Sequence, residues 1–330
     1  NTKLYSELIF LIILGILTSL SLSPFNYFII NFLTFSLFFL FLIKKSNQHK
    51  NTKLFFFYGW CFGFGYFVTN LYWISISLTF DQNFKFLIPI IIILIPSFLA
   101  IFYGLICYFF IILKPKKITT SLLVFSLIFG VIEFVRGTIL TGFPWNLIAY
   151  SFSKQIEFLS IISIIGTYGF NLFCISLFTS PAIFILRDSR KDIGVCIFFF
   201  ITIMLFYFYG SFYKDKFNSS EKKIYDYKIR VIGSEITLDR FYSNIDSLSV
   251  IEDLIEISDL DLDEKIIIVW PEGILPGISQ EKLIEYKWLF KEKLNQNHVL
   301  VLGINNQSLK NGSNVFFNSL TVYDNELNVI

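Results

Sequence analysis

The chain is 330 residues long, 55% of them hydrophobic and 42 of them phenylalanine. A soluble globular domain of this length carries far less apolar residue, so most of the chain is expected to lie in lipid. Net charge is only +2, and no basic patch interleaved with aromatics occurs in the polar part, which sets nucleic-acid binding aside.

Apolar runs occur at 4–22, 25–43, 54–80, 86–113, 118–135, 156–186 and 193–213. Most exceed the ~20 residues needed to cross ~30 Å of hydrocarbon. The first two are divided only by Pro24 and Asn26 and read as a tight helical hairpin; no small-x-small cleavage site follows Leu22, which argues against a cleaved signal peptide. Basic residues concentrate in alternate short loops: Lys44, Lys45, Lys50 and Lys53, then Lys114, Lys116 and Lys117, then Arg187, Arg190 and Lys191. The intervening loops carry only Lys85 in one, and Arg136 with Lys154 in the other. Basic loops stay cytoplasmic, so seven crossings deliver everything after residue 213 to the outer face.

Within the third run, Gly59, Gly63 and Gly65 suit close helix packing, and Asn70, Tyr72 and Trp73 end it with an aromatic anchor. Asn70 and Asn171, polar within apolar segments, read as interhelical hydrogen-bonding residues. Cys61, Cys107, Cys174 and Cys196 all lie in apolar segments without CxxC spacing, as small hydrophobes between helices. His49 sits in a basic loop and His298 opens a strand. No metal site, cofactor or disulfide framework is indicated.

Glu133 and Arg136 stand three apart at the outer end of the fifth run, a spacing that lets them touch on one helix face. Charges at that depth are costly unless paired or hydrated and mark a site, the alternative being a snorkelling pair that anchors the helix end. The loop Thr141-Gly-Phe-Pro-Trp145 follows. Gly142 and Pro144 force a turn, and Phe143 and Trp145 suit the headgroup layer.

Residues 214–227 are polar, charged and patternless, and read as a linker. Strands at 228–234, 265–270, 298–304 and 315–323, with helices at about 242–258 and 281–296, imply a layered α/β sheet. The pattern stops on a strand with Asn325 to Ile330 leading onward, and the chain starts without Met, so the sequence reads as a fragment. The expected fold is a multi-span α-helical membrane domain over 1–213, with about seven helices, followed by a partial α/β domain over 228–330.

In Lys265-Ile-Ile-Ile-Val-Trp-Pro-Glu-Gly-Ile-Leu-Pro276, Pro271 stops a buried strand and places Glu272 just past its carboxyl end. Open α/β sheets carry ligands and catalytic groups there. Trp270 and Pro271 are expected to hold the carboxylate rigid and partly desolvated, as suits a general base. A plain loop residue or helix cap is the other reading, and no nucleophile accompanies it.

Several runs together resemble the apolipoprotein N-acyltransferases of Gram-negative envelopes. They are Phe62-Gly-Phe-Gly-Tyr66 with Tyr72-Trp73, Glu133 with Arg136, Thr141 to Trp145, Gly166-Thr-Tyr-Gly169, Trp270-Pro-Glu272 with Pro276, and Phe317-Asn-Ser319. Their order and spacing cover essentially the whole chain. The resemblance implies a membrane domain bearing a nitrilase-like αββα domain on the periplasmic side of the inner membrane, with an eighth span after it. The implied activity moves an acyl chain from a phospholipid to the α-amino group of a diacylglyceryl-cysteine at a lipoprotein's N-terminus, through a thioester. It makes Glu272 the base of a Glu-Lys-Cys triad whose lysine and cysteine are expected beyond Ile330. Lys310 precedes the Phe-Asn-Ser run and is the wrong lysine; the four membrane cysteines do not fit the motif. Gly273 stands where the family has threonine, and Gly233-Ser-Glu replaces a glutamine-containing turn, which bears on local substrate contacts. Glu133, Arg136, Phe143, Pro144 and Trp145 are expected to shape a lipid entrance. The competing functions are a membrane-tethered amidase using the same triad, and a multi-span transporter or scaffold, against which the absence of internal repeats argues.

Overall fold

The computed structural model describes every residue except 1, 222, 234–245, 276 and 311–312. Pro276 and the Ser-Glu of the 233–235 run therefore lie outside the described residues, as does the expected helix start at 242–245. The chain forms two compact units, Asn1–Ser220 and Glu221–Ile330.

The first unit is helical. Its long helices are α1 (Thr2–Ser19), α2 (Ile30–Ser46), α3 (Thr52–Leu71), α4 (Ile88–Leu113), α5 (Ile118–Thr138), α7 (Ile162–Thr179) and α9 (Ile193–Asn218); α6 (Ile156–Leu159) and α8 (Ile183–Leu186) are single turns. Among the described residues, six helices are long and apolar enough to cross a membrane. The protein is thus a multi-span membrane protein, as its composition demands. The 17-residue α2 is shorter than these six, though still near the lower limit of a span. Past residue 213, α9 continues five residues to Asn218, so the first part of the polar stretch is helix rather than linker.

Small residues set how closely the helices approach. A Cβ on Gly59 would lie 2.1 Å from the Tyr103 backbone oxygen, and one on Gly65 2.1 Å from that of Ile12. Gly15 returns the contact, its would-be Cβ 2.0 Å from the Phe62 oxygen. Glycine lets α3 touch α4 on one side and α1 on the other. Phenylalanine fills the rest: Phe38 stacks on Phe62 at 4.1 Å, and Phe35, Phe125 and Phe129 are buried around them. The four cysteines are free and buried here. At the α1–α3 end, Lys45 binds Glu7 at 2.5 Å and Tyr58 donates to the same carboxylate at 3.1 Å. Glu7 and Tyr58 did not stand out in the sequence, and Lys45, counted there with the basic loop, lies in the last turn of α2.

In the second unit, β1 (Lys228–Val231), β2 (Ile266–Trp270), β3 (His298–Lys310) and β4 (Ser313–Tyr323) lie side by side in chain order. The first three are parallel and β4 is antiparallel to β3. Helices α10 (Ser247–Ile257), α11 (Gln280–Leu283) and α12 (Lys287–Lys293) complete the unit. Ile266, Ile268 and Trp270 are buried with Leu300, Leu302 and Ile304 in one core that also takes Ile251, Leu254 and Phe290 from the helices. The opposite face is open: Ile229, Val231 and Leu320 are about 70% exposed, at 69%, 70% and 74%. The helix expected over 281–296 is interrupted by a 3₁₀ turn at Ile284–Tyr286. Strand β3 runs to Lys310 rather than 304. Its polar Asn305-Asn-Gln-Ser segment has little strand propensity, but the ladder with β4 supplies the partners.

Candidate functional site

Two constellations, one in each unit, carry the candidate residues. In the second unit, β2 pairs with β3 as far as Trp270 opposite Leu302, and pairing resumes with a bridge from Ser279 to Asn305. Residues 271–275 and 277–278 therefore leave the ladder between pairs separated on β3 only by Gly303 and Ile304. Gly273 (φ 69°) and Gly277 (φ 75°) take the left-handed backbone the loop needs, and buried Ile274, Leu275 and Ile278 anchor it.

Glu272 lies at the start of this loop. A Cβ on Gly303 would sit 3.2, 3.5 and 3.7 Å from the Cα, Cβ and Cγ of Glu272, so the glutamate runs lengthwise over the bare backbone of β3. Beyond it, the Asn318 Nδ2 of β4 donates to Glu272 Oε1 at 2.5 Å. The register pairs Asn305 with Asn318 and Gly303 with Leu320, which places all four on the open face of the sheet. Asn318 belongs to the Phe317-Asn-Ser319 run, so two separate sequence motifs meet here.

The expected partial burial of Glu272 is not met; its side chain is exposed. Strand alternation is the reason. Trp270 points to the helix side, where it packs against Phe290 and its Nε1 donates to Ser258 Oγ at 3.0 Å. His298 is buried too, its Nε2 on the Asp261 oxygen at 3.0 Å and its Nδ1 accepting from the Asn295 N–H, so both ring nitrogens serve the fold. The side chain of Lys310 lies outside the described residues. All four cysteines belong to the first unit.

The second constellation is built on Arg136. Its Nη2 and Nε bind Glu133 at 2.7 and 3.1 Å, and neither side chain is exposed. This excludes the snorkelling alternative, since both charges are inside protein. Arg136 Nη1 donates to the Phe143 oxygen at 2.5 Å and Nη2 approaches the Asn146 oxygen at 3.5 Å, while Tyr66 donates to that same oxygen at 3.0 Å. The guanidinium also lies 5.3 Å over the Phe67 ring. The fork thus ties the end of α5 to the loop after it.

That loop is conformationally extreme. Leu140, Thr141 and Gly142 have φ of 52°, 75° and 81° in succession. For threonine, with its branched Cβ, this is a strained state held by the surroundings. Glycine is needed at 142 for space as well, because a Cβ there would meet the Gly137 oxygen at 2.3 Å. Trp73, Trp145 and Phe143 stack in series at 6.0 Å spacings, with Pro144 between the last two in sequence. On one side of the loop lies an apolar cavity of about 610 Å³ that includes Ile74, Phe98, Phe102, Leu140 and Phe143. On the other is a pocket of about 290 Å³ that includes Thr69, Asn70, Tyr72, Asn146 and Tyr150. Asn171 accepts from the Ala149 N–H at 3.0 Å and fixes the chain beyond the loop. Asn70, by contrast, bonds within its own helix, to the Tyr66 oxygen one turn back. The sequence singled out Glu133, Arg136, Phe143, Pro144 and Trp145; Tyr66 entered there only as the last residue of a glycine-containing run, and Asn146 was given no role.

Residues 14–180 match the model of the apolipoprotein N-acyltransferase N-terminal domain. An apolipoprotein N-acyltransferase of Rhodopseudomonas palustris is 35% identical over 175 residues, covering 52% of this chain and 32% of that protein. Those of Agrobacterium fabrum and Rickettsia prowazekii are each 28% identical; the first alignment covers 83% of this chain and 53% of the relative, the second 94% and 60%. The chain therefore spans between about a third and three fifths of these relatives' length. With the family's helical domain matched over half the chain, this protein belongs to the apolipoprotein N-acyltransferase family.

Proposed function

We propose that the protein transfers an acyl chain from a phospholipid to the α-amino group of an apolipoprotein's N-terminal diacylglyceryl-cysteine. Family membership, carried by the match over residues 14–180, is the observation that supports this most directly. Glu272 acts as general base: it takes the proton of a cysteine thiol, the thiolate attacks the phospholipid ester carbonyl, and lysophospholipid leaves with that proton. A thioester remains. The lipoprotein amine then attacks it, forming the amide and returning the thiol. Exposure of Glu272 on the open sheet face, rather than under the helices, leaves its carboxylate available to both partners.

Residues 228–330 are read as part of a nitrilase-like domain, joined by the 214–227 stretch to a membrane domain over 1–213. The alternation of basic loops supports a periplasmic position for this domain, at the inner membrane. The Glu133–Arg136 clamp holds the loop carrying Phe143, Pro144 and Trp145, and the apolar cavity beside it suits one acyl chain. In the full-length protein, Glu272→Gln should leave lipoproteins with free N-terminal amines by mass spectrometry. Continued triacylation would remove Glu272 from the chemistry.

A further inference from the structure

The geometry points to Asn318 as the residue that positions Glu272, an inference that rests on the proposed role of Glu272 as the base. The two groups come from the last two runs of the motif order, 46 positions apart, and they meet because β3 has no side chain at Gly303. A branched side chain there would occupy the track by which a glutamate leaving β2 lies across β3 to reach β4. Here the Cα, Cβ and Cγ of Glu272 rest along Gly303 within 3.7 Å of where a Cβ would stand, and the carboxylate arrives at Asn318 Nδ2 at 2.5 Å.

The chemistry of the contact is directional. An ionised carboxylate only accepts, so Asn318 must turn its amide nitrogen toward it. One oxygen, Oε1, is thereby committed. No protein hydrogen bond to Oε2 and no salt bridge to Glu272 occurs among the described residues, so Oε2 is the oxygen left to receive a proton. Asn318 itself is fixed by the β3–β4 ladder, paired with Asn305 and flanked by Phe317–Asn306 and Ser319–Ile304. A donor on a rigid strand therefore sets the direction of a carboxylate carried by a loop. Such a donor affects how well the base is aimed, and hence turnover, more than how substrates bind.

The test compares Asn318→Ala, Asn318→Asp and Glu272→Gln in the full-length protein reconstituted with phosphatidylethanolamine and a diacylglyceryl peptide. Asn318→Ala should lower kcat by roughly 10- to 100-fold with KM for either substrate changed less than about threefold. Asn318→Asp has nearly the same shape but places a second carboxylate against Glu272. Two facing carboxylates favour a shared proton, so the acid limb of kcat/KM should move up by about one pH unit or more. A purely structural asparagine would not move that limb. Circular dichroism establishes that each variant is folded; if Asn318→Ala is not, the isosteric Asp variant decides. Wild-type kcat and pH limb in the Asn318 variants, beside an inactive Glu272→Gln, would overturn this inference alone. An active Glu272→Gln would overturn the base assignment and this inference with it.

Discussion

Arg136 and Phe143 are joined by a hydrogen bond from the guanidinium Nη1 to the backbone oxygen, at 2.5 Å, while the same guanidinium holds Glu133 with two further nitrogens. The ion pair therefore does more than neutralise two charges near a membrane edge. It supplies the donors that keep Leu140, Thr141 and Gly142 in left-handed backbone.

Arg136→Lys tests this directly. Lysine keeps the charge but is a point donor, and cannot bind both carboxylate oxygens and the Phe143 carbonyl together. Each charge-assisted hydrogen bond lost here costs about 1.5–3 kcal/mol. Thermal unfolding in detergent should show a clearly lowered midpoint. A midpoint within a degree or two of wild type would mean that the loop holds itself.

The glycine seams predict a contrast within one helical unit. Gly65→Ala puts a methyl group against the Ile12 backbone oxygen, where only a shift of α1 relieves the clash, and overpacking of this kind costs about 1–3 kcal/mol. Gly194→Ala meets nothing within 4 Å and should be neutral or slightly stabilising. Equal melting of the two variants would contradict the packing account.

Gly303→Val should lower acyl transfer by about tenfold or more, because the branched side chain occupies the track along which Glu272 lies. The expected signature is a fall in kcat with the fold retained by circular dichroism. Gly303→Ala should be milder, since its contact at 3.2 Å needs only a small adjustment. Unchanged turnover in the valine variant would show that Glu272 does not work from this position.

Asp324 gives a pH-dependent prediction away from any membrane segment. Burial pushes its carboxyl up, but bonds from the Asn328 side chain and from the Asn328 and Glu326 backbone outweigh this and hold it below 3.8. A depressed carboxyl contributes stability that is present above the unfolded value and lost as pH falls through the folded one. The turn at 324–328 should therefore loosen only below about pH 3.8, seen as lost amide protection at Glu326 and Asn328. Asp324→Ala should show that loss at neutral pH, by about 1 kcal/mol, the net worth of a partly exposed hydrogen bond. Full protection in the alanine variant would sink this account of the turn.

What the sequence revealed follows from which forces act locally. The apolar runs were legible because lipid imposes its requirement on every residue of a span. Glu133 and Arg136 were legible because helix geometry brings positions three apart together. Glu272 was legible because Pro271 ends a buried strand. Asn318 was hidden: alternation tells which face it occupies, but not that β3 carries a glycine under the path to Glu272. Trp270 misled for a related reason, since a strand sends neighbouring side chains to opposite faces, and its bulk shields the helix side. The Phe143 and Asn146 carbonyls carry no sequence signature at all, being backbone groups available at any residue.

The open sheet face has a practical side. Ile229, Val231, Phe316 and Leu320 present β-branched, aromatic and aliphatic surface to water on β1 and β4, the two outermost strands of the sheet. Surfaces of this kind recruit one another. Residues 221–330 handled alone in aqueous buffer should self-associate, and a polar replacement at Leu320 or Val231 is the change that should keep them dispersed.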